Sequence, residues 1–343
     1  MNDRRNDQKK RPSAGTFRQA PFLVGDKKEG LTARLLRRRE IVLHPTVLVL
    51  ATYILLLLSK LIDIALINRE NEYYSIVLLQ MMILLLPGAI WCKFSGEQYL
   101  SGLRLRLFGA DSLLLILSSA LLMTSGGMLL TVLFGGAEAL SGSFSLYDTF
   151  ISKDNGTVPN AIYLILAYAA LPAICEEFVF RGILCHEYER GGVLRAVLLS
   201  SLFFALLHFD LAHLPVYLFA GILLAMTLYA TRSLFGAILA HFLYNIFGLF
   251  GQPYMSNLYQ MTGNSSLFLI LIAAVMLISA AVFCGEAARL YRRYLYRAYS
   301  ADYRQPLLTG TAALRASYLN VLKKPSALMC FAVYILALII SWI

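Results

Sequence analysis

Residues 161–190 read AIYLILAYAALPAICEEFVFRGILCHEYER. The part before Glu176 is apolar almost throughout, and about 20 such residues suffice to cross the roughly 30 Å of hydrocarbon in a bilayer. Yet Glu176, Glu177 and Arg181 stand inside the same run. An ionised side chain at the bilayer centre costs about 2.5–3.5 kcal/mol by insertion scales, so charges kept there need partners or a task. Glu177 and Arg181 are four residues apart with the acid nearer the N-terminus, the order that favours a same-face ion pair on a helix. Glu176 points about 100° away around the helix and has no such partner on it. A carboxylate kept from water in this way suits a base that takes a proton and returns it.

Apolar runs recur on both sides of this stretch, near 41–67, 73–92, 111–135, 193–209, 213–230, 233–250, 266–284 and 327–343. Of 343 residues, 59% are hydrophobic and only 15% charged, with a mean hydropathy of +0.66. Soluble domains carry about a quarter charged residues, and no single core would bury this many apolar runs. The expected fold is therefore all-α, a polytopic membrane helix bundle of about eight or nine transmembrane helices. Residues 1–40 form a basic tail expected to be disordered, 41–157 the N-terminal helices, 158–250 a polar-bearing helical core, and 251–343 the C-terminal helices with a basic segment at 285–325.

The net charge of +10 is distributed in a way that excludes nucleic acid as the partner. Twelve of the thirty Lys/Arg residues precede position 40 and eight lie between Arg289 and Lys324, flanking apolar segments as the positive-inside rule requires. With the N-terminus in the cytoplasm, the connections holding Lys93, Arg104 and Arg106, then Arg190 and Arg195, then Arg232, then 285–325 all fall inside. The outer connections hold Glu70, Glu72, Glu138 and Asp148. This places the chain in a plasma (inner) membrane with lipids as partners. Segment 96–108 mixes Leu with Arg at helical spacing and is expected on the inner surface. The Arg/Tyr alternation of 289–304 reads as an interfacial anchor. Lys60 and Asp63 are spaced to neutralise each other. Five cysteines without a CxxC pair are expected to be free, and no cleavable signal peptide precedes the first span. Nothing in the sequence sets an oligomeric state.

Two further apolar runs carry histidines. Phe204 and His208 lie one turn apart in FALLH, and His241 and Asn245 one turn apart in HFLYN. Hydrolysis of a peptide bond in a membrane needs a water, a base to activate it, and donors for the oxyanion. Glu176 with His208 supplies the base, and His241 with Asn245 the donors. No GxSxG, HExxH or GxGD motif is present; His186-Glu187 begins the zinc pattern, but Arg190 occupies the place of its second histidine. Depth along ideal helices puts Glu176 and His241 roughly 10 Å from the inner edge and His208 about 20 Å in, a spread that opposes direct contact between Glu176 and His208.

In order on successive apolar helices, Glu176-Glu177-xxx-Arg181, Phe204-xxx-His208 and His241-xxx-Asn245 give residues 158–250 a pattern that resembles the CPBP family. That family contains the type II CAAX prenyl endopeptidases and bacterial proteins linked to bacteriocin processing and immunity. The resemblance implies an intramembrane endopeptidase acting on a membrane-associated or lipidated peptide. Glu176 and His208 would activate the water, His241 and Asn245 would form the oxyanion site, and Glu177 with Arg181 would orient the catalytic glutamate. The family was once described as zinc-dependent and is now read as a glutamate-type peptidase. Two histidines and a glutamate also form a donor set for an open Zn²⁺ site, but helix-borne ligands at uneven depth make poor tetrahedral geometry. No metal or other cofactor is expected. A prenyl substrate does not carry over, because residues 1–157 and 251–343 lie outside the resemblance.

Two other readings compete. One is a non-catalytic membrane partner, such as a bacteriocin-immunity or secretion-accessory protein. The other is a proton-coupled transporter using Glu176 and His208 as a relay, which lacks the inverted repeat of broken helices common in transporters.

Overall fold

The computed structural model describes residues 44–66, 81–96, 99–135, 161–263, 265–296 and 311–342. The basic tail 1–40, the acids at 70, 72, 138 and 148 and the side chains of Lys60 and Asp63 lie outside the described parts. Among the described residues every regular element is helical. They are α1 (Pro45–Leu66), α2 (Leu86–Ser95), α3 (Leu113–Gly135), α4 (Ala161–Leu164 through Cys185–Tyr188), α5 (Val193–Leu207), α6 (Leu214–Thr231), α7 (Leu234–Phe250), α8 (Gln252–Thr262), α9 (Ser265–Tyr296), α10 (Thr311–Leu322) and α11 (Pro325–Trp342).

Leu- and Ala-rich composition favours these helices, and their ends are marked chemically. Pro45 and Pro325 open α1 and α11, where a missing N–H costs nothing. Arg232 (φ 54°) and Gly263 (φ 59°) close α6 and α8 in the left-handed conformation.

Among the described residues, four helices are long and apolar enough to cross a membrane: Ala110–Gly135, Ala161–Gly191, Leu214–Thr231 and Ser265–Arg293. A fifth follows if α10 and α11, bent by 66° at a short break, make one span. Pro45–Ser59, Met82–Ser95, Val193–Leu207 and Leu234–Phe250 are apolar but shorter. Among the described residues, four or five of the expected eight or nine spans thus meet the length and composition of a membrane crossing, and the other expected runs correspond to the shorter apolar helices.

α4 to α7 form the middle of the molecule. α3 lies against α6, α7 and α9, and α1 pairs with α11. One apolar cluster joins α1, α4, α5 and α11 through Tyr53, Phe180, Phe203 and Cys330; another joins α3, α6, α7 and α9 through Met123, Leu224, Ala240 and Phe283. Outward, Leu114, Leu117 and Leu121 of α3, Ile270, Leu277 and Ile278 of α9, and Leu328, Ile335 and Ile339 of α11 are exposed. Apolar faces of that extent are suited to lipid rather than water.

Among the described residues of segment 96–108 the expected surface helix is a single turn, Tyr99–Gly102. The chain then turns at Arg104 (φ 55°), because its polar groups are taken by neighbouring helix ends. Arg104 Nη2 donates to Glu189 Oε2 at 2.8 Å, Arg106 Nε donates to the Arg232 carbonyl at 2.7 Å, and the Leu234 N–H donates to the Arg104 carbonyl at 3.0 Å. Arg289 Nη2 donates to the Asp111 carbonyl at 2.6 Å, and Arg195 Nη1 donates to Ser317 Oγ at 2.8 Å. These contacts gather the basic connections at one end of the bundle. The Arg/Tyr segment begins as the last turns of α9, which run to Tyr296. All five cysteines are unpaired, with only Cys284 exposed.

Candidate active site

The path of α4 sets the site. Pro172 lacks the N–H that would bond back along the helix, and the stretch before it, Ile165–Ala170, is widened to π-helix. A second π stretch, Phe178–Leu184, follows immediately after the two glutamates. Glu176 and Glu177 therefore occupy the end of a short α segment held between two widened turns, a feature that recurs at functional sites.

Glu177 and Arg181 are fully buried, and Arg181 Nη1 donates to Glu177 Oε1 at 2.7 Å. The same oxygen accepts from His241 Nδ1 of α7 at 2.9 Å. Arg181 is held from three further directions. Its Nη2 donates to the Gly221 carbonyl of α6 at 3.0 Å, its guanidinium lies 4.2 Å from the centre of the Phe204 ring of α5, and α4 carries its backbone. The Gly221 carbonyl reaches Arg181 because α5 and α6 touch closely: a Cβ on Gly221 would stand 3.0 Å from Ser201 Cβ and 3.1 Å from its Cα. Small residues permit this approach.

With Nδ1 bonded to a carboxylate, His241 presents Nε2 to the other glutamate, 3.9 Å from Glu176 Oε2. That oxygen is buried and has no hydrogen-bond partner, while the Glu176 side chain as a whole is 15% exposed. Glu177 Oε2 is likewise buried without a partner, so the two carboxylates differ in that Glu177 binds Arg181 and His241 through Oε1 while Glu176 keeps some exposure.

His208 closes α5. Its Nδ1 lies 3.0 Å from the Phe204 carbonyl, so Nδ1 carries the proton and Nε2 the lone pair. Its ring stacks on Tyr217 of α6 at 3.8 Å between centres and 14° between planes. Phe204 is the shared neighbour, edge-on to His208 at 5.0 Å and to His241 at 5.9 Å. Among the described residues no hydrogen bond or ion pair joins His208 to Glu176, so the two acid–base groups are linked through Phe204 and His241 rather than directly. Asn245, one turn beyond His241, donates from Nδ2 to the Ala169 carbonyl at 3.4 Å, on the widened part of α4. The structure thus brings Glu176, Glu177, Arg181 and His241 into one cluster, sets His208 at its edge, and anchors Asn245 to α4.

Tyr217, Gly221 and the pair Asp210–His213 were not legible as site neighbours. A signal existed for the last: Asp-x-x-His follows directly on His208, and the structure makes it a turn in which Asp210 Oδ2 accepts from His213 Nδ1 at 2.8 Å. Among the described residues no three His, Cys, Asp or Glu side chains are arranged to hold a metal ion.

Residues 158–247 match the family model of the type II CAAX prenyl endopeptidases, Rce1-like. The matched segment covers α4 to α7 and every site residue above. The chain is also similar to a protein of Bacillus subtilis (strain 168) named "Putative membrane peptidase YdiL", with 29% identity over an alignment of 119 residues that covers 32% of this chain. Those residues span about half of that relative's length, 49%. No solved structure matches the chain. The apolar helices, together with this similarity, mark an integral membrane protein.

Proposed function

We propose that the chain is an intramembrane endopeptidase that hydrolyses a peptide bond in a membrane-associated or lipidated peptide. The observation that carries the reading is the buried, unpartnered Oε2 of Glu176 facing His241 Nε2, with Glu177 and Arg181 neutralising each other behind it. A water placed between Glu176 and His241 gives up a proton to Glu176 while its oxygen attacks the peptide carbonyl carbon. The carbonyl electrons collect on an oxyanion. His241 has Nδ1 committed to Glu177, so it donates from Nε2 as the imidazolium, whose charge the Glu177 carboxylate stabilises. Asn245 supplies a second donor on leaving the Ala169 carbonyl. Glu176 then returns its proton to the leaving amine as the C–N bond breaks. His208, with Nε2 unprotonated, orients the water from the side of α5.

In this reading the reaction runs without metal and is carried by Glu176. On the same reading the four long helices, three of the shorter apolar ones, the bent pair α10–α11, and α5 completed by the turn that follows it account for nine spans, with the basic end and N-terminus in the cytoplasm. The decisive measurement is cleavage of candidate membrane peptides by the purified chain. Glu176→Gln should lower turnover by about 10²–10⁴-fold, the range a general base contributes, with unchanged helicity and elution volume. Turnover equal to that of the unsubstituted chain would remove Glu176 from the mechanism; no cleavage by the unsubstituted chain would favour a non-catalytic membrane partner.

A further inference from the structure

The α5–α6 turn lies outside the Glu176–His241 centre. α5 has 15 residues, so it is about 22 Å long at 1.5 Å per residue, against roughly 30 Å of hydrocarbon. It begins at Val193, among the basic connections gathered at one end of the bundle, so its far end at His208 stops short of the opposite surface. The helical stretches Ala110–Gly135 and Ala161–Gly191, 26 and 31 residues, are long enough to reach that surface.

The short turn is polar. Asp210 accepts from the backbone N–H of His213 at 3.1 Å and from its Nδ1 at 2.8 Å, and the two side chains are 35% and 38% exposed. A half-exposed Asp–His pair below the membrane surface is tolerated where it lines a water-filled cavity. Inward from the pair stands Tyr217, whose ring lies 6.4 Å from that of His213 and stacks on His208. Polar and aromatic groups thus lead without interruption from the exposed turn to the edge of the catalytic cluster. The same surface is marked by α8, which follows the far end of α7 and exposes Tyr254 and Tyr259, residues suited to a membrane interface.

We infer that the active site is reached from the face opposite the basic connections, through a water-filled funnel at the α5–α6 turn. Because the positive-inside rule places the basic connections in the cytoplasm, the funnel opens on the extracytoplasmic face. The substrate is then a peptide anchored in, or displayed at, that surface rather than a cytoplasmic C-terminus. The identity of the ligand rests on the peptidase reading; the side of access does not.

The test uses the full chain in membrane vesicles, with Ala212→Cys in the exposed turn and, at the other end, Arg190→Cys, whose side chain is 74% exposed. Both are made in a Cys284→Ser background, since the other cysteines are buried. A membrane-impermeant maleimide should label Ala212→Cys in right-side-out vesicles only and Arg190→Cys in inside-out vesicles only. Labelling of Ala212→Cys from the inside-out preparation alone, or from neither, overturns the inference. In a second arm, a bulky maleimide at Ala212→Cys should lower peptide cleavage at least tenfold and leave the Arg190→Cys protein within twofold of its unlabelled rate; equal effects overturn it. Absence of cleavage by the unlabelled, Glu176-bearing chain would sink the peptidase reading alone, because the labelling pattern does not depend on cleavage.

Discussion

Arg181 holds the site together through one carboxylate, one carbonyl and one ring. Breaking a buried ion pair on one side leaves the other charge uncompensated, at a cost of about 3–5 kcal/mol. Arg181→Met should therefore lower the thermal midpoint in detergent by much more than Arg181→Met combined with Glu177→Gln, because the double variant buries no lone charge. A smaller loss in the single variant would mean that Glu177 reaches water. Tyr217 acts on His208 through its flat ring rather than its hydroxyl. Tyr217→Phe should accordingly keep cleavage near the original rate, while Tyr217→Leu should lower kcat with KM little changed. A fall in KM affinity alone would make Tyr217 a substrate contact instead. The i,i+4 spacing made the Glu177–Arg181 pair readable from the sequence, since both residues lie on one helix. That His241 shares the same carboxylate oxygen was not readable, because the partner comes from a helix 64 residues later.

At the level of elements, the contact between α5 and α6 is what presents the Gly221 carbonyl to Arg181. A side chain at 221 would meet the backbone of Ser201 as well as its side chain, so the helices would have to separate. Gly221→Val should destabilise the protein by roughly 1–3 kcal/mol, the usual penalty for overpacking, and lower cleavage beyond what the stability loss explains. Thermal scans and activity measured on the surviving folded fraction separate the two effects. Two π-widened stretches flank the glutamates of α4, and only the proline of the first left a trace in the sequence. Depth counted at 1.5 Å per residue placed Glu176 and His241 level, and their side chains do meet; the same count set His208 apart, and it does lie at the edge. Counting failed for segment 96–108, where helix-like spacing yielded one turn because tertiary partners compete for its backbone.

Across the whole molecule, charge is sorted to one end, and that sorting reaches stability. His44 lies just before α1, half-buried beside Thr46, and burial, then Lys324 and Arg195, push its imidazole down to about 4 from 6.5. The folded state therefore resists protonation that the unfolded chain accepts. Stability from this group is present above pH 6.5 and is lost as pH falls towards 4. The thermal midpoint should drop over that window, and His44→Gln should flatten the drop; an unchanged slope would place its origin elsewhere. Membrane character, helical class and the residues of the polar cluster were determined by the sequence alone. Apolar runs of bilayer length have one tolerable solvent, and charges within them have few tolerable neighbours. Only tertiary structure decided which glutamate binds Arg181 and His241, where α5 stops, and which helix supplies each partner. Those depend on distances between helices far apart in the chain, set by side-chain volume and helix crossing, which no spacing along a single helix records.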